Sequence, residues 1–110
     1  MPRINIKPIS VNDVWKGKRY KTDLYKSYES VLLYKLPKIT LPDPPFEIYF
    51  KFGFSSSASD WDNPIKPIQD ILSKKYGFND KLIEKGVVET EKVKKGQEYF
   101  EFELKTFVKK

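Results

Sequence analysis

A chain of 110 residues with no cysteine, no histidine and a formal charge of +6 excludes several classes at the outset. The length fits one domain; the missing residue types remove disulfide frameworks, thiolate chemistry, Ser-His-Asp sites and imidazole metal ligands. No run of 18 apolar residues is present and the Met-Pro-Arg-Ile-Asn-Ile-Lys start lacks the apolar core of a signal peptide, so a soluble, cytoplasmic protein without a membrane partner is expected.

Arg3 to Ile9 alternates, with Ile4 and Ile6 on one side, and predicts a short strand that Pro8 ends or confines to an edge. Ser10 to Lys21 has no stable period and reads as a basic loop around Gly17. Thr22 is an N-cap for a helix through about Tyr34, with Leu24, Tyr28, Val31 and Leu32 at helical spacing. Lys35 to Pro45, with Pro37, Pro42, Pro44 and Pro45, is a stiff connection that cannot stay helical.

Phe46 to Phe54 is the cleanest strand: Phe46, Ile48, Phe50, Phe52 and Phe54 alternate with Glu47, Tyr49, Lys51 and Gly53, one aromatic face inward. Ser55 to Ser59 is a small-residue linker. Asn63-Pro64 reads as N-cap and first residue of a second helix, Pro64 to Lys75, burying Ile65, Ile68, Ile71 and Leu72; Gly77 ends it. Leu82 to Val93 and Glu98 to Val108 read as strands of a hairpin turning at Lys94-Lys95-Gly96-Gln97. The expected fold is α+β, a mixed sheet covered by two helices in the order β-α-β-α-β-β, within one domain over 1–110.

The charge is uneven. Residues 1–38 hold nine basic side chains against three acidic ones and so carry the whole +6, while the other 72 residues balance. A polyanion-binding surface beside a neutral body that holds an acidic cluster and a plain lysine-rich surface both fit this asymmetry.

The acidic cluster is Asp60-Trp61-Asp62-Asn63, then Lys66, Asp70 and, ten residues later, Asp80. On an extended segment Asp60 and Asp62 point to one side, and Asn63, Lys66 and Asp70 share one face of the helix that follows. Such carboxylates could hold a hard divalent cation through oxygen alone, which favours Mg²⁺, with Mn²⁺ as the alternative. Taken singly, each residue also has a plainer role: Asp62 as a cap or turn former, Lys66 and Asp70 as an i,i+4 surface pair, Asp80 as a turn residue.

The order D-x-D-N-x-x-K-x-x-x-D, followed by Gly77-Phe78 and then Asp80 before a strand, resembles the RusA family of crossover-junction endodeoxyribonucleases. Pro8-Ile9-Ser10-Val11-Asn12, then Trp15 and Lys18-Arg19-Tyr20, is similar to the family's opening segment, and the basic turn at Lys94-Lys95-Gly96 is compatible. The resemblance implies a small, homodimeric, Mg²⁺-dependent resolvase of Holliday junctions, of the kind common in phages and prophages, working in a bacterial or phage-infected cytoplasm. By it, Asp60, Asp62 and Asp80 are the metal-binding catalytic carboxylates, Lys66 is the functional lysine, and Asn63 and Asp70 are supporting. The departures are Asn79-Asp80 where the family often has paired acids, Lys81-Leu82 where a polar pair commonly follows, and Ser59 where a basic residue often precedes the first Asp.

The resemblance further implies that a dimer presents two sites to opposed strands of a four-way junction and resolves it by paired nicks. Lys16, Lys18, Arg19 and Lys21 would hold phosphates. Trp15 and Tyr20 either stack on bases at the branch point or pack in the core or a dimer contact. The other readings of the whole chain are a non-catalytic branched-DNA-binding module and a structural or protein-interaction domain.

Overall fold

A computed structural model describes residues 1–17, 20–56 and 60–109. Strand β1 is Arg3–Ile4, β2 Trp15–Lys16 and β3 Tyr20–Lys21; helix α1 is Asp23–Lys35; β4 is Phe46–Phe54; α2 is Ile65–Tyr76; β5 is Ile83–Lys92 and β6 Tyr99–Thr106. Turns of 3₁₀ helix precede β2 (Val11–Asp13) and β5 (Asp80–Leu82). The class is α+β: two helices and a mixed four-stranded sheet in the order β1-β6-β4-β5, with β2 and β3 forming a separate two-stranded ribbon.

β4 occupies the expected residues and the middle of the sheet. Each fully buried large apolar side chain stabilises the fold by about 1.5–3 kcal/mol relative to exposure. The strand that alternates Phe46, Ile48, Phe50 and Phe52, all buried, therefore belongs where neighbours cover it on both edges. Phe100 and Phe102 of β6 pair with Phe52 and Phe50 and extend the same face. Tyr25, Tyr28 and Leu32 of α1 and Ile68, Ile71 and Leu72 of α2 join this one core, so both helices contribute to it. Glu47, Tyr49 and Lys51 point to the other, polar face.

The expected hairpin of the last two strands is corrected. β5 runs parallel to β4 on one side, and β6 runs antiparallel to β4 on the other. β4 thus separates the two strands that are consecutive in sequence. A parallel neighbour requires a crossover of a dozen or more residues, and the segment containing α2 supplies it. The turn closed by Gln97 N–H on the Lys94 carbonyl (2.9 Å) is reached only after Val93 N–H has bonded the Phe54 carbonyl (2.9 Å), so the chain passes over the end of β4. Glu- and Lys-rich β5 forms one sheet edge and two-residue β1 the other, both poor templates for further strand pairing.

On the polar face Tyr99 lies flat over Gly53. A Cβ at Gly53 would collide with the Tyr99 ring. The ring is fixed by its hydroxyl, which donates to Glu91 Oε1 at 2.6 Å, and by the Arg3 guanidinium 4.0 Å from its centroid. Glycine is required here by close approach.

Other expectations shift locally. The first strand shortens to Arg3–Ile4. The basic loop contains a 3₁₀ turn and the ribbon; its Lys18 and Arg19, like Ser57 to Ser59 of the linker, lie outside the described residues. Thr22 caps α1 as expected, accepting from Tyr25 N–H at 3.1 Å, yet Tyr25 rather than Leu24 is buried, and Val31 is exposed. The aromatic ring fills more of the core than leucine from the adjacent position. α2 begins at Ile65 rather than Pro64, with no side-chain cap, so Asn63 is not its N-cap; Ile65 is only half-buried, while Pro67 is buried. Gly77 closes it in the left-handed conformation at φ 70°.

Candidate functional site

The acidic segment is a series of turns, not the extended stretch expected. Asn63 N–H donates to the Asp60 carbonyl at 3.3 Å and Ile65 N–H to the Asp62 carbonyl at 3.2 Å, winding the chain directly into α2. Proline at 64 lacks a donor of its own, which suits this entry. Asp60 and Asp62 are both exposed, and the backbone no longer sets their carboxylates on one side by alternation.

The Asn63 carbonyl also accepts from Val11 N–H at 2.8 Å. Ser10 begins the 3₁₀ turn there, its hydroxyl accepting from Asn12 N–H at 3.2 Å. The N-terminal segment therefore packs against the acidic turn, and between them opens a cleft of about 310 Å³ lined by Lys7, Pro8, Ser10, Asp60 and Asn63 among others.

In the first turn of α2, Lys66 bridges two acids. Its ammonium lies 2.9 Å from Asp70 Oδ1, the expected i,i+4 contact, and 3.5 Å from Asp80 Oδ2. Gln69, on the same helix face, donates from Nε2 to Asp80 Oδ2 at 3.1 Å. Asp80 is presented by the turn before β5, where Asn79 Oδ1 accepts from Lys81 N–H at 3.0 Å. The Gln69 bond first, and the Lys66 charge with it, hold the Asp80 carboxyl below its ordinary range; the bond to Asp70 first, then the charges of Asp70 and Asp80, raises Lys66.

The structure thus gathers Lys66, Asp70 and Asp80 with Gln69, a residue the sequence reading passed over. Its signal was available: Gln69 stands three after Lys66, hence on the same face. The structure does not gather the expected ligand set. Among the described residues no three acidic side chains are grouped closely enough to hold a metal ion. The donor chemistry of Asp60, Asp62 and Asp80 remains all oxygen, as a hard divalent cation requires.

Of the expected phosphate-binding residues, Lys16 and Lys21 lie on the ribbon with Trp15 and Tyr20. Both aromatic residues are exposed, at 51% and 71%, so neither is a core residue. No helix among the described residues is long and apolar enough to cross a membrane. The chain matches no protein-family model, and no curated protein gives a significant match to it.

Proposed function

We propose that the chain is a Mg²⁺-dependent, structure-selective endodeoxyribonuclease of the RusA kind, with the β-α-β-α-β-β core order of a RusA-like domain. In this reading it works as a cytoplasmic homodimer that resolves four-way DNA junctions by paired nicks. The observation that carries the reading is the 2.8 Å bond from Val11 N–H to the Asn63 carbonyl. It joins Pro8–Asn12 to Asp60–Asn63, the two distant stretches on which the family resemblance rests.

Hydrolysis adds water to the scissile phosphorus and breaks its bond to one sugar oxygen. Asp60, Asp62 and Asp80 are the residues that would hold the metal. Bound there, Mg²⁺ would supply water activation and charge neutralisation on the phosphate. Lys66 contributes a positive charge beside Asp80, available to the phosphate or as a counter-charge to the acids. Gln69 steadies Asp80 from the helix, while Asn63 and Asp70 support the turn and the lysine. Lys16 and Lys21, with Lys18 and Arg19 beside them in sequence, hold backbone phosphates, so binding falls with salt.

Binding of branched DNA without cleavage is the second reading. It is favoured by the Lys66 ammonium already lying against Asp70 and Asp80. Asp62→Asn tests the first against the second. The expected result is a loss of junction cleavage by about 10²-fold or more, with junction binding retained and stability changed by less than about 0.5 kcal/mol, as befits an exposed residue. An Asp62→Asn protein that still cuts at the native rate overturns the assignment of roles. A native protein that binds junctions but never cuts them in Mg²⁺ or Mn²⁺ establishes the second reading.

A further inference from the structure

The ribbon of β2 and β3 combines anchored legs with open rings. Val14, just before it, is buried, and its carbonyl accepts from Thr22 N–H at 2.9 Å. The Thr22 hydroxyl donates to the Asp13 carbonyl while accepting from Tyr25 N–H, so one residue ties the ribbon's base to the first turn of α1. Trp15 pairs with Lys21 and Lys16 with Tyr20. Cross-strand partners share a face, so each face presents one aromatic ring and one ammonium. On the first face the Lys21 ammonium lies 4.2 Å from the Trp15 ring centroid and 4.4 Å from that of Tyr25, which steadies Trp15 against α1.

Two large exposed aromatics on a firmly anchored ribbon call for an occupant. Burial in the core is ruled out by their exposure. Residues 15 to 21 read Trp-Lys-Gly-Lys-Arg-Tyr-Lys, with no acidic side chain. A second copy of the same ribbon would bring like charges together, whereas a polyanion complements them. An aromatic ring beside an ammonium matches the repeating unit of a nucleic-acid strand, a flat base and the phosphate next to it.

We propose that the β2–β3 ribbon is a stacking platform for unpaired nucleobases, with Trp15 and Tyr20 taking bases on its two faces and Lys16 and Lys21 meeting the adjoining phosphates. This rests on the reading of the chain as a nucleic-acid-binding protein, but not on its cutting DNA. Unpaired bases occur in single strands and at branch points. They are sequestered within a continuous duplex, which should meet the lysines alone.

Trp15 and Trp61 are the two tryptophans of the chain. In the 110-residue Trp61→Phe protein, Trp15 emission reports stacking directly. The test is a titration in EDTA with a 12-nucleotide oligothymidylate, a four-way junction and a linear duplex, repeated with Trp15→Ala and Tyr20→Ala, with thermal melts confirming that each variant is folded.

The expected result is quenching of Trp15 emission by the oligothymidylate and the junction, and little by the duplex. Each alanine variant should bind those two ligands about tenfold more weakly, keep its duplex affinity within about twofold, and retain the native salt dependence because the lysines remain. DNA binding with unchanged Trp15 emission, or equal losses on all three ligands, overturns the platform. So does sedimentation showing that Trp15→Ala dissociates a dimer, since the occupant is then a second copy. Stacking by the Trp61→Phe protein, with no cleavage by the native protein in Mg²⁺, supports the platform and removes only the nuclease reading. Binding to none of the DNAs at low salt removes both.

Discussion

The Lys66 ammonium lies 3.5 Å from the Asp80 carboxylate, linking the first turns of α2 to the turn that opens β5. Those elements belong to one β-α-β crossover, so the ion pair ties the start of its helix to the start of its last strand within the unit that carries every candidate catalytic residue. The lysine and the aspartate keep 59% and 28% side-chain exposure. An exposed pair of this kind contributes little to folding, about 0–1 kcal/mol.

Lys66→Met should therefore leave thermal and urea stability within about 1 kcal/mol of native. Junction cleavage should fall by about 10²-fold or more, with junction affinity changed only a few-fold. Denaturation midpoints and single-turnover cleavage on the same preparations check this. A Lys66→Met protein that cuts normally but melts much earlier would make the lysine structural.

Gly53→Ala is expected to destabilise the fold by about 1–3 kcal/mol, the usual cost of forcing extra volume into a packed contact. The new methyl group would meet the Tyr99 ring, and that ring is held by Glu91 and Arg3. Urea unfolding measures the loss. Combined with Tyr99→Ala, the effect of Gly53→Ala should shrink sharply, because neighbours that share one contact are not additive.

Tyr99 also sets an alkaline limit. Burial first, and then the Glu91 carboxylate, push its hydroxyl from 10.0 up to about 12. A raised pKa in the folded state means that the contribution is fully present below pH 10.0 and is lost as pH climbs toward about 12. Urea midpoints measured across that window should fall, and Tyr99→Phe should make the fall shallower. Tyr25 and Tyr28, also raised, keep it from vanishing.

Much of this fold was legible because the aromatic alternation of Phe46 to Phe54 admits one period, and because Thr22 and Gly77 are strong local signals for helix ends. Pairing between strands was less so. Lys94-Lys95-Gly96-Gln97 looks like a hairpin turn from composition alone, since nothing local reveals that β4 lies between β5 and β6. The strand-helix-strand succession from Phe46 to Lys92 was the usable sign of a parallel crossover. Leu24 and Tyr25 show a similar limit: both are apolar neighbours on one helix, and only the shape of the core decides which is buried.

At the candidate site, spacing sufficed for Lys66 and Asp70, which one helical turn brings together. It failed for Asp60 and Asp62, where an assumed extended backbone gave way to turns before Pro64. Asp80 meets Lys66 and Gln69 only through the crossover, a tertiary relationship that no local pattern encodes. The same holds for Val11 and Asn63.

The most direct measurement is incubation of the purified protein with an end-labelled four-way DNA junction, in Mg²⁺ and in EDTA, beside a linear duplex of the same sequence. Paired, symmetric nicks near the branch point, in the junction alone and only with metal, are the expected result. A junction that is bound yet left intact in both Mg²⁺ and Mn²⁺, or a duplex cut as readily as the junction, would contradict the proposed activity.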